Sequence, residues 1–533
     1  MTSSVASALK ERTESAQETQ EETTVMTARR PGRRAVMVSA VLTQLMIVLD
    51  LTIIAIALPR MQDDLGMTVS QSPWTVTGYS LAFGGLVLFG GRLCAVVGIR
   101  RSYQVGLIGF GVASLAAGMA TSFPILLVAR VAQGCFGALL APTSQSLLNV
   151  TFTERTERER VFAIFGATGG LGAAVGLLVG GALTDWISWR WALYINILLA
   201  TAALLIGQRS LPPADQRDHG SRITDDLTGL VLGCGACFSA VYGLDRAQQT
   251  SWTSTSTVSW LALGGIAAVL FVVRERFANR PVLPLSMMAL PVRAASYATQ
   301  FIAGAAQMGA IIYLTYYMQN HFGYSPFKSG VVFLPMVLSL IATAIPAGRV
   351  IVPRLGARGT LPLGLAVLTG SFLIFSRMTT QSSYSQVALP GLIVFGIGLG
   401  LTMPVTFNSG TRGVDAKRTG LASAILSAAQ QIGGSFGVAL MTSYATQHAE
   451  DYVAEHSEEV RAAAMEAMMR AQTLPQSPAG KQIIEALKAQ LVDRAQLEAY
   501  AGGFTMMAWI LAGAGAALVA CGIAVSVRRR RTR

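Results

Sequence analysis

A chain of 533 residues with a net charge of +13 could hold two or three soluble domains, or a surface that binds nucleic acid. The composition excludes both: charged residues make up only 13% and apolar residues 52%, against about 25% charged in soluble domains, and the mean hydropathy is +0.50. Lys and Arg gather at the ends of apolar blocks and not along one helix face, which marks orientation in a bilayer and gives no nucleic-acid footprint.

Residues 1–34 are polar, rich in Ser, Thr and Glu, and end in Arg29, Arg30, Arg33 and Arg34. They read as a disordered cytoplasmic tail. The apolar block that follows is too long for the core of a signal peptide, so no cleavable leader is expected. Six predicted helices then span 35–58, 74–95, 103–121, 124–149, 161–184 and 191–208, an N-terminal six-helix bundle over 35–208. A polar linker (209–224) leads to two inserted helices, 226–244 and 257–275. The last six, 295–318, 328–348, 360–377, 386–408, 419–443 and 502–526, form a C-terminal six-helix bundle within 276–526, and 527–533 is a basic cytoplasmic tail. Each block approaches the roughly 20 apolar residues a spanning helix needs, and backbone in lipid must be satisfied within its own segment. The expected fold class is therefore an all-α integral membrane protein with fourteen transmembrane helices.

Orientation follows from the basic residues. With the N-terminus cytoplasmic, most of the 41 Lys and Arg fall inside, among them Arg100, Arg101, Arg155, Arg158, Arg160, Arg274, Arg276, Arg280, Lys417, Arg418 and Arg528 to Arg531. Both termini are then cytoplasmic in a plasma (inner) membrane. The long segment left outside, 444–501, carries Glu458, Glu459, Arg461, Glu466 and Arg470 at helical spacing. Pro475 and Pro478 divide it into two amphipathic pieces, expected to lie on the membrane as a solvated cap. Cys234 and Cys237 form a C-x-x-C, but within a Gly-Cys-Gly-Ala-Cys run of a membrane helix small residues signal close packing in preference to a redox pair. With four His and no metal-spaced set or ordered Ser/His/Asp group, the sequence offers no catalytic centre.

Several segments form an ordered set. Leu49-Asp50-x-Thr52 precedes Ala57-Leu58-Pro59 in helix 1, and Trp74-Thr-Val-Thr-Gly-Tyr79 opens helix 2. Gly91-Arg92-Leu93 with Gly98, Arg100 and Arg101 marks the helix 2–3 loop, and Arg130-Val-Ala-Gln133-Gly134 with Gly137 lies in helix 4. Gly172, Gly176, Gly180 and Gly181 lie in helix 5, the first three at four-residue spacing on one face. Trp189-Arg190-Trp191 with Asn196 opens helix 6, and Gly420-Leu-Ala-Ser-Ala424 with Gln431, Gly433, Gly434 and Gly437 marks helix 13. Together these resemble the major facilitator superfamily, specifically its fourteen-helix drug:proton antiporter branch, the EmrB/QacA-like multidrug exporters.

The resemblance implies two halves rocking about a central site, a proton gradient as the energy source with no cofactor, and a small amphipathic cargo. It also implies a monomer in the lipid bilayer that confers antibiotic resistance by multidrug efflux. Gly91, Arg92, Gly98, Arg100 and Arg101 would form the conformational gating loop, and the helix 5 glycines either a packing seam or a gate. Ala95 stands where the family has Asp, and Leu177 where it has Pro. A related loop, Gly348-Arg349 to Gly356-x-Arg358, suggests that the two halves are repeats. A facilitator or uptake symporter of the same fold is the alternative.

Asp50 is the candidate proton-coupling residue. An acid near the middle of a membrane helix costs about 2.5–3.5 kcal/mol on insertion scales. Counting from the helix ends at 1.5 Å per residue puts Asp50 roughly 12 Å and Arg130 roughly 9 Å below the outer boundary. An ion pair is thus expected, with Arg130 and Gln133 beside the transport path or in that pair. Met308, Tyr313, Tyr316, Tyr317 and Met318 would suit either an apolar cargo or helix packing.

Overall fold

The computed structural model describes residues 30–531 apart from 69–70, 72–73, 209, 212–225, 279–280, 282, 284–286, 289, 380, 415–418 and 471–477. Most of the expected N-terminal tail and of the 209–224 linker lies outside the described residues. What is described is helical. In chain order the helices are α1 (Arg30–Leu65), α2 (Trp74–Val97), α3 (Ile99–Gly118), α4 (Phe123–Thr151), α5 (Arg155–Trp186) and α6 (Trp189–Gly207), then α7 (Leu227–Gln249) and α8 (Thr255–Phe277). There follow α9 (Pro291–Tyr316), α10 (Pro326–Val332), α11 (Leu334–Pro346), α12 (Val352–Phe375), α13 (Leu389–Thr411), α14 (Thr419–Arg470) and α15 (Pro478–Arg531). Eleven stretches among the described residues are long and apolar enough to cross a membrane. The fold is thus all-α and multi-pass.

Helices α1 to α6 pack on one another, α1 against α5 and α6, α4 against α2 and α3. A second group forms through α9 on α14, α13 on α11 and α12, and α15 on α12 and α14. At the end of the molecule carrying the α2–α3 turn, α4 and α5 of the first group close on α13 and α14 of the second. Gln145 Nε2 donates to Ser427 Oγ (3.1 Å), the Thr411 hydroxyl to Asn149 Oδ1 (3.2 Å) and Arg158 Nε to Asn408 Oδ1 (3.0 Å). Phe162 and Phe165 pack on Phe407, with ring centroids 6.5 and 6.0 Å away. Toward the opposite end α5 stays in contact with the second group, where Trp186 meets Phe327.

Lipid supplies no hydrophobic force between apolar helices, so contact depends on how closely backbones approach. A Cβ on Gly433 would stand 2.1 Å from the Phe301 carbonyl oxygen, and one on Gly437 2.1 Å from that of Ala305. These glycines of the helix 13 motif therefore set the α14–α9 distance. Gly98 (φ 96°) turns the chain between α2 and α3, and Gly356 (φ 66°) breaks α12 at the corresponding loop of the second group. The same left-handed device at both loops agrees with the repeat seen in the sequence.

Two differences from the sequence reading stand out, and one open alternative narrows. The first helix starts at Arg30, inside the segment expected to be a tail. The described parts of 444–501 are not separate helices: α14 continues without a break to Arg470 and α15 starts at Pro478, so two helices of 52 and 54 residues run on beyond the membrane-length stretches. Proline fits the first turn of a helix, and Pro478 opens α15 where the sequence divides the segment. Of the residues that suited either an apolar cargo or helix packing, Tyr313, Tyr317 and Met318 pack: they are buried inside the second group, Tyr313 edge-on to Tyr500 at 5.0 Å. Cys234 and Cys237 pack beside Leu88 and Ala424, and all five cysteines are free.

Overpacking a close backbone contact costs about 1–3 kcal/mol or more. Gly433→Val should therefore lower the melting temperature of the detergent-solubilised protein sharply. Gly370→Val on α12, where a Cβ meets nothing within 4 Å, should leave it nearly unchanged. Equal effects of the two would refute the seam.

Candidate functional site

Five helices of the first group meet at one buried ion pair. Asp50 of α1 accepts from Arg130 Nη1 at Oδ2 (2.6 Å), and at Oδ1 from Asn196 Nδ2 of α6 (2.6 Å) and Gln133 Nε2 (3.2 Å). Arg130 and Gln133 lie three residues apart on α4 and so share a face; Arg130 Nη1 also donates to Gln133 Oε1 at 2.9 Å. Gln133 Nε2 reaches the Ser114 hydroxyl of α3 at 2.7 Å. Arg130 Nε donates to the carbonyl of Thr75 in the first turn of α2 (3.0 Å), and its guanidinium lies 4.6 Å from the centroid of the Tyr79 ring, one turn on. Asp50, Arg130, Gln133, Asn196, Ser114 and Tyr79 are all excluded from solvent.

The carboxylate thus has three donors and one opposite charge, which is what a buried anion requires. The surroundings are not saturated: Arg130 Nη2, Asn196 Oδ1, Thr75 Oγ1 and the Tyr79 hydroxyl are buried without a hydrogen-bond partner. That spare capacity allows a second charge state. If Asp50 takes a proton, the Asn196 amide can turn its unpartnered Oδ1 toward the new O–H while Gln133 Oε1 stays on Arg130. Arg130 then keeps the Thr75 carbonyl, Gln133 and the Tyr79 ring.

The site lies toward the end where α2 begins. Thr75 is in the first turn of α2 and Gly91 sixteen residues on, roughly 24 Å along the helix. The proposed gating loop is therefore remote from the ion pair. Within it, Gly91 is buried, Arg92 is half-buried, Gly98 carries the left-handed turn, Arg100 Nη2 approaches the Gln208 carbonyl (3.4 Å), and Arg101 is exposed. The helix 5 glycines face α1. A Cβ on Gly172 would meet Val48 at 3.0 Å, one on Gly176 would overlap the Thr52 hydroxyl, and one on Gly180 would stand 3.1 Å from the Ile53 backbone. Gly181 is buried on the same helix. This face packs against the residues flanking Asp50 and forms no part of the contact between the two groups. Near the α6 start, the Arg190 guanidinium and then the Trp189 indole bond Asp64, at 2.5 and 3.1 Å, and hold its carboxyl below the usual carboxylate range. That latch stabilises the fold at neutral pH, and the effect is lost as pH falls through the lowered value. Its side chains are half-exposed, so the gain is small.

Depth counting put Asp50 and Arg130 at one level, and the structure brings them into contact with Gln133. Asn196 lay within a quoted motif but carried no charge to mark it. Ser114 and the Thr75 carbonyl had no sequence signal, because an uncharged hydroxyl and a backbone oxygen look the same wherever they point.

Residues 40–438 match the family model described as Major Facilitator Superfamily. The puromycin resistance protein of Streptomyces alboniger is 39% identical over 416 residues, 78% of this chain and 82% of its own length. The cephamycin export protein of Amycolatopsis lactamdurans is 33% identical over 406 residues, 76% of this chain and 83% of its own. The solved structure of the human organic anion transporter TETRAN superposes with a TM-score of 0.53 at 14% identity, covering 90% of this chain and 99% of that one, a likeness of fold alone. A buried ion pair inside a bundle of membrane-length helices and a match across most of the sequence lead to one conclusion: the chain belongs to the Major Facilitator Superfamily and resembles its antibiotic-resistance exporters.

Proposed function

We propose that this chain exports small amphipathic molecules across the plasma membrane by alternating access, driven by inward proton flow, with Asp50 as the proton carrier. The observation that carries the coupling role is the buried Asp50–Arg130 pair, wrapped in amides that suit either charge state of the acid. The relatives support the direction of transport: their names describe resistance to puromycin, export of cephamycin, and resistance to and export of tetracenomycin C. The contact of α4 and α5 with α13 and α14 is, on this reading, the closed inner gate, and the Gly98 loop lies on the cytoplasmic side.

Fourteen spans in two six-helix halves plus the α7–α8 insertion fit the helices. The stretch Phe327–Phe375 divides at Gly356 into two spans, and α3 and α5 add two more to the eleven. Both termini are then cytoplasmic, and the α14–α15 extensions stand outside. Tags at either terminus and near residue 215 should be reachable only from the cytoplasm, and a tag near 470 only from outside. Reaction of 215 and 470 from one side would overturn this topology.

Asp50→Asn keeps the shape of the acid but leaves Arg130 without a counter-charge. Removing one partner of a buried pair costs about 3–5 kcal/mol. The single variant should therefore melt lower and lose gradient-driven export. Pairing it with Arg130→Gln removes the orphan charge, so the double variant should regain much of its thermal stability and still fail to pump. Proteoliposome transport of puromycin with and without a proton gradient, beside melting curves, measures both. Gradient-driven export by a stable Asp50→Asn protein would remove Asp50 from the coupling role.

A further inference from the structure

Helix α13 carries two of the residues that meet the first group, Asn408 and Thr411, in its last turn. A helix leaves its last carbonyls without partners of its own, so a buried end must find donors elsewhere. The chain leaves α13 at Arg412, whose backbone is extended (φ −64°, ψ 130°), and turns at Gly413, which is left-handed (φ 70°). We infer that Arg293 and Tyr297 of α9 are gate-positioning residues: they hold this end of α13 from behind, in the place from which Asn408 and Thr411 reach α5 and α4. The inference rests on the reading of that contact as a closed gate and adds the part that keeps it in register.

Arg293 and Tyr297 lie four residues apart and so share a face of α9. The Tyr297 hydroxyl donates to the Gly410 carbonyl (3.0 Å) and Arg293 Nη2 to the Arg412 carbonyl (3.0 Å). Between them, the Thr411 carbonyl accepts from the Val414 N–H (3.3 Å). Each carbonyl from 410 to 412 therefore has a donor, and α9 supplies two of the three. Arg293 Nη1 donates to the Met287 carbonyl (3.0 Å), in the segment between α8 and α9. Met287 and Leu283 pack on Leu421 and Ala422 in the first turn of α14, and Glu275 Oε2 of α8 accepts from the Leu283 N–H (2.9 Å). One side chain thus bonds both the end of α13 and the segment that backs the start of α14. These are the two helices on the second group's side of the gate.

Arg293 is buried, and among the described residues no carboxylate pairs with it. A cation in that position depends on the carbonyls around it, and the C-terminal end of a helix offers partial negative charge as well. The guanidinium spans two carbonyls from different segments with a fixed fork; an ammonium is a single compact donor and matches that arrangement less well. Tyr297 also lies in the apolar cluster that holds Phe162 and Phe165 of α5 and Phe407 of α13, so its ring belongs to the gate while its hydroxyl belongs to the clamp. All the clamp's bonds are internal to the second group and its α8–α9 segment. They need not break when the first group moves away, and they set the geometry to which it returns.

Reaction of single buried cysteines with a hydrophilic maleimide tests this in detergent-solubilised protein whose five native cysteines have been replaced. Leu148→Cys on α4 reports the gate, since Leu148 is fully buried in the cluster that includes Phe407 and Leu426. Leu126→Cys, fully buried beside Met61 and Trp189 toward the opposite end, reports general loosening. Arg293→Met loses hydrogen bonds from a charged donor, so it should speed reaction at Leu148→Cys at least about tenfold and leave Leu126→Cys within about twofold. Arg293→Lys keeps the charge and should fall between that variant and the parent. Tyr297→Phe keeps the ring and loses one neutral hydrogen bond; it should speed the gate reporter about threefold, and it carries the test if Arg293→Met does not fold. An unchanged gate reporter, or equal acceleration of both reporters, would overturn the inference. Gln145→Ala with Asn149→Ala removes gate bonds directly. If that variant frees Leu148→Cys and the α9 variants do not, the clamp fails and the gate stands. If it too leaves Leu148→Cys protected, the gate reading falls and the clamp with it.

Discussion

A carboxylate and a guanidinium that leave water together each lose several kcal/mol of solvation, and only mutual contact and further hydrogen bonds make good that loss. The Asp50–Arg130 pair imposes this condition on the whole first group. Helix α1 brings the acid, α4 the base and Gln133, α6 Asn196, α3 Ser114, and α2 a carbonyl and an aromatic face. No one of these helices can rotate by a fraction of a turn without leaving a charge or an amide unpaired. The pair therefore fixes the helices' mutual orientation more strictly than their apolar surfaces could, since those surfaces are as content with lipid as with each other.

The rest of the packing obeys the weaker rule of close approach. Gly433 and Gly437 seat α14 on α9, the glycine face of α5 seats it on α1, and Gly84 and Gly85 take α7 into α2. In each case the missing side chain belongs to the helix that must come nearest. The α5 glycines touch Val48, Thr52 and Ile53, which flank Asp50, while Gly166 on the same helix touches Pro404 of α13. One rigid helix thus borders both the ion pair and the contact between groups.

Much of this was legible beforehand. Block length and the placement of arginines gave the membrane class, and the intramembrane charges stood out because lipid makes them rare. The contact of Asp50 with Arg130 followed from counting rise along two helices that enter from opposite sides. The division of 444–501 near Pro478 was legible, since proline suits a helix start; that each piece continues a membrane-length helix was missed, because the change from apolar to charged composition reads as a helix end. The position of α7 was invisible for another reason: an apolar helix with small residues carries no mark of which neighbours it will pack against, here α2, α8 and α14. Whether Tyr313 and Tyr317 face a cargo or pack was open for the same reason, since a buried aromatic ring and a cargo-facing one are spelled alike.

Every hydrogen-bonding partner of Asp50 and Arg130 described above comes from α1, α2, α4 or α6, all in the first group. The surfaces proposed to part when the gate opens belong to α5, to another face of α4, and to α13 and α14. On the reading that Asp50 couples the proton and the seam meets the cargo, changes in what is carried and changes in what powers the carrying would fall on separate residues. Such a protein can acquire a new cargo by drift along the seam while its charge network stays untouched, an arrangement under which one engine serves chemically unrelated antibiotics across a lineage.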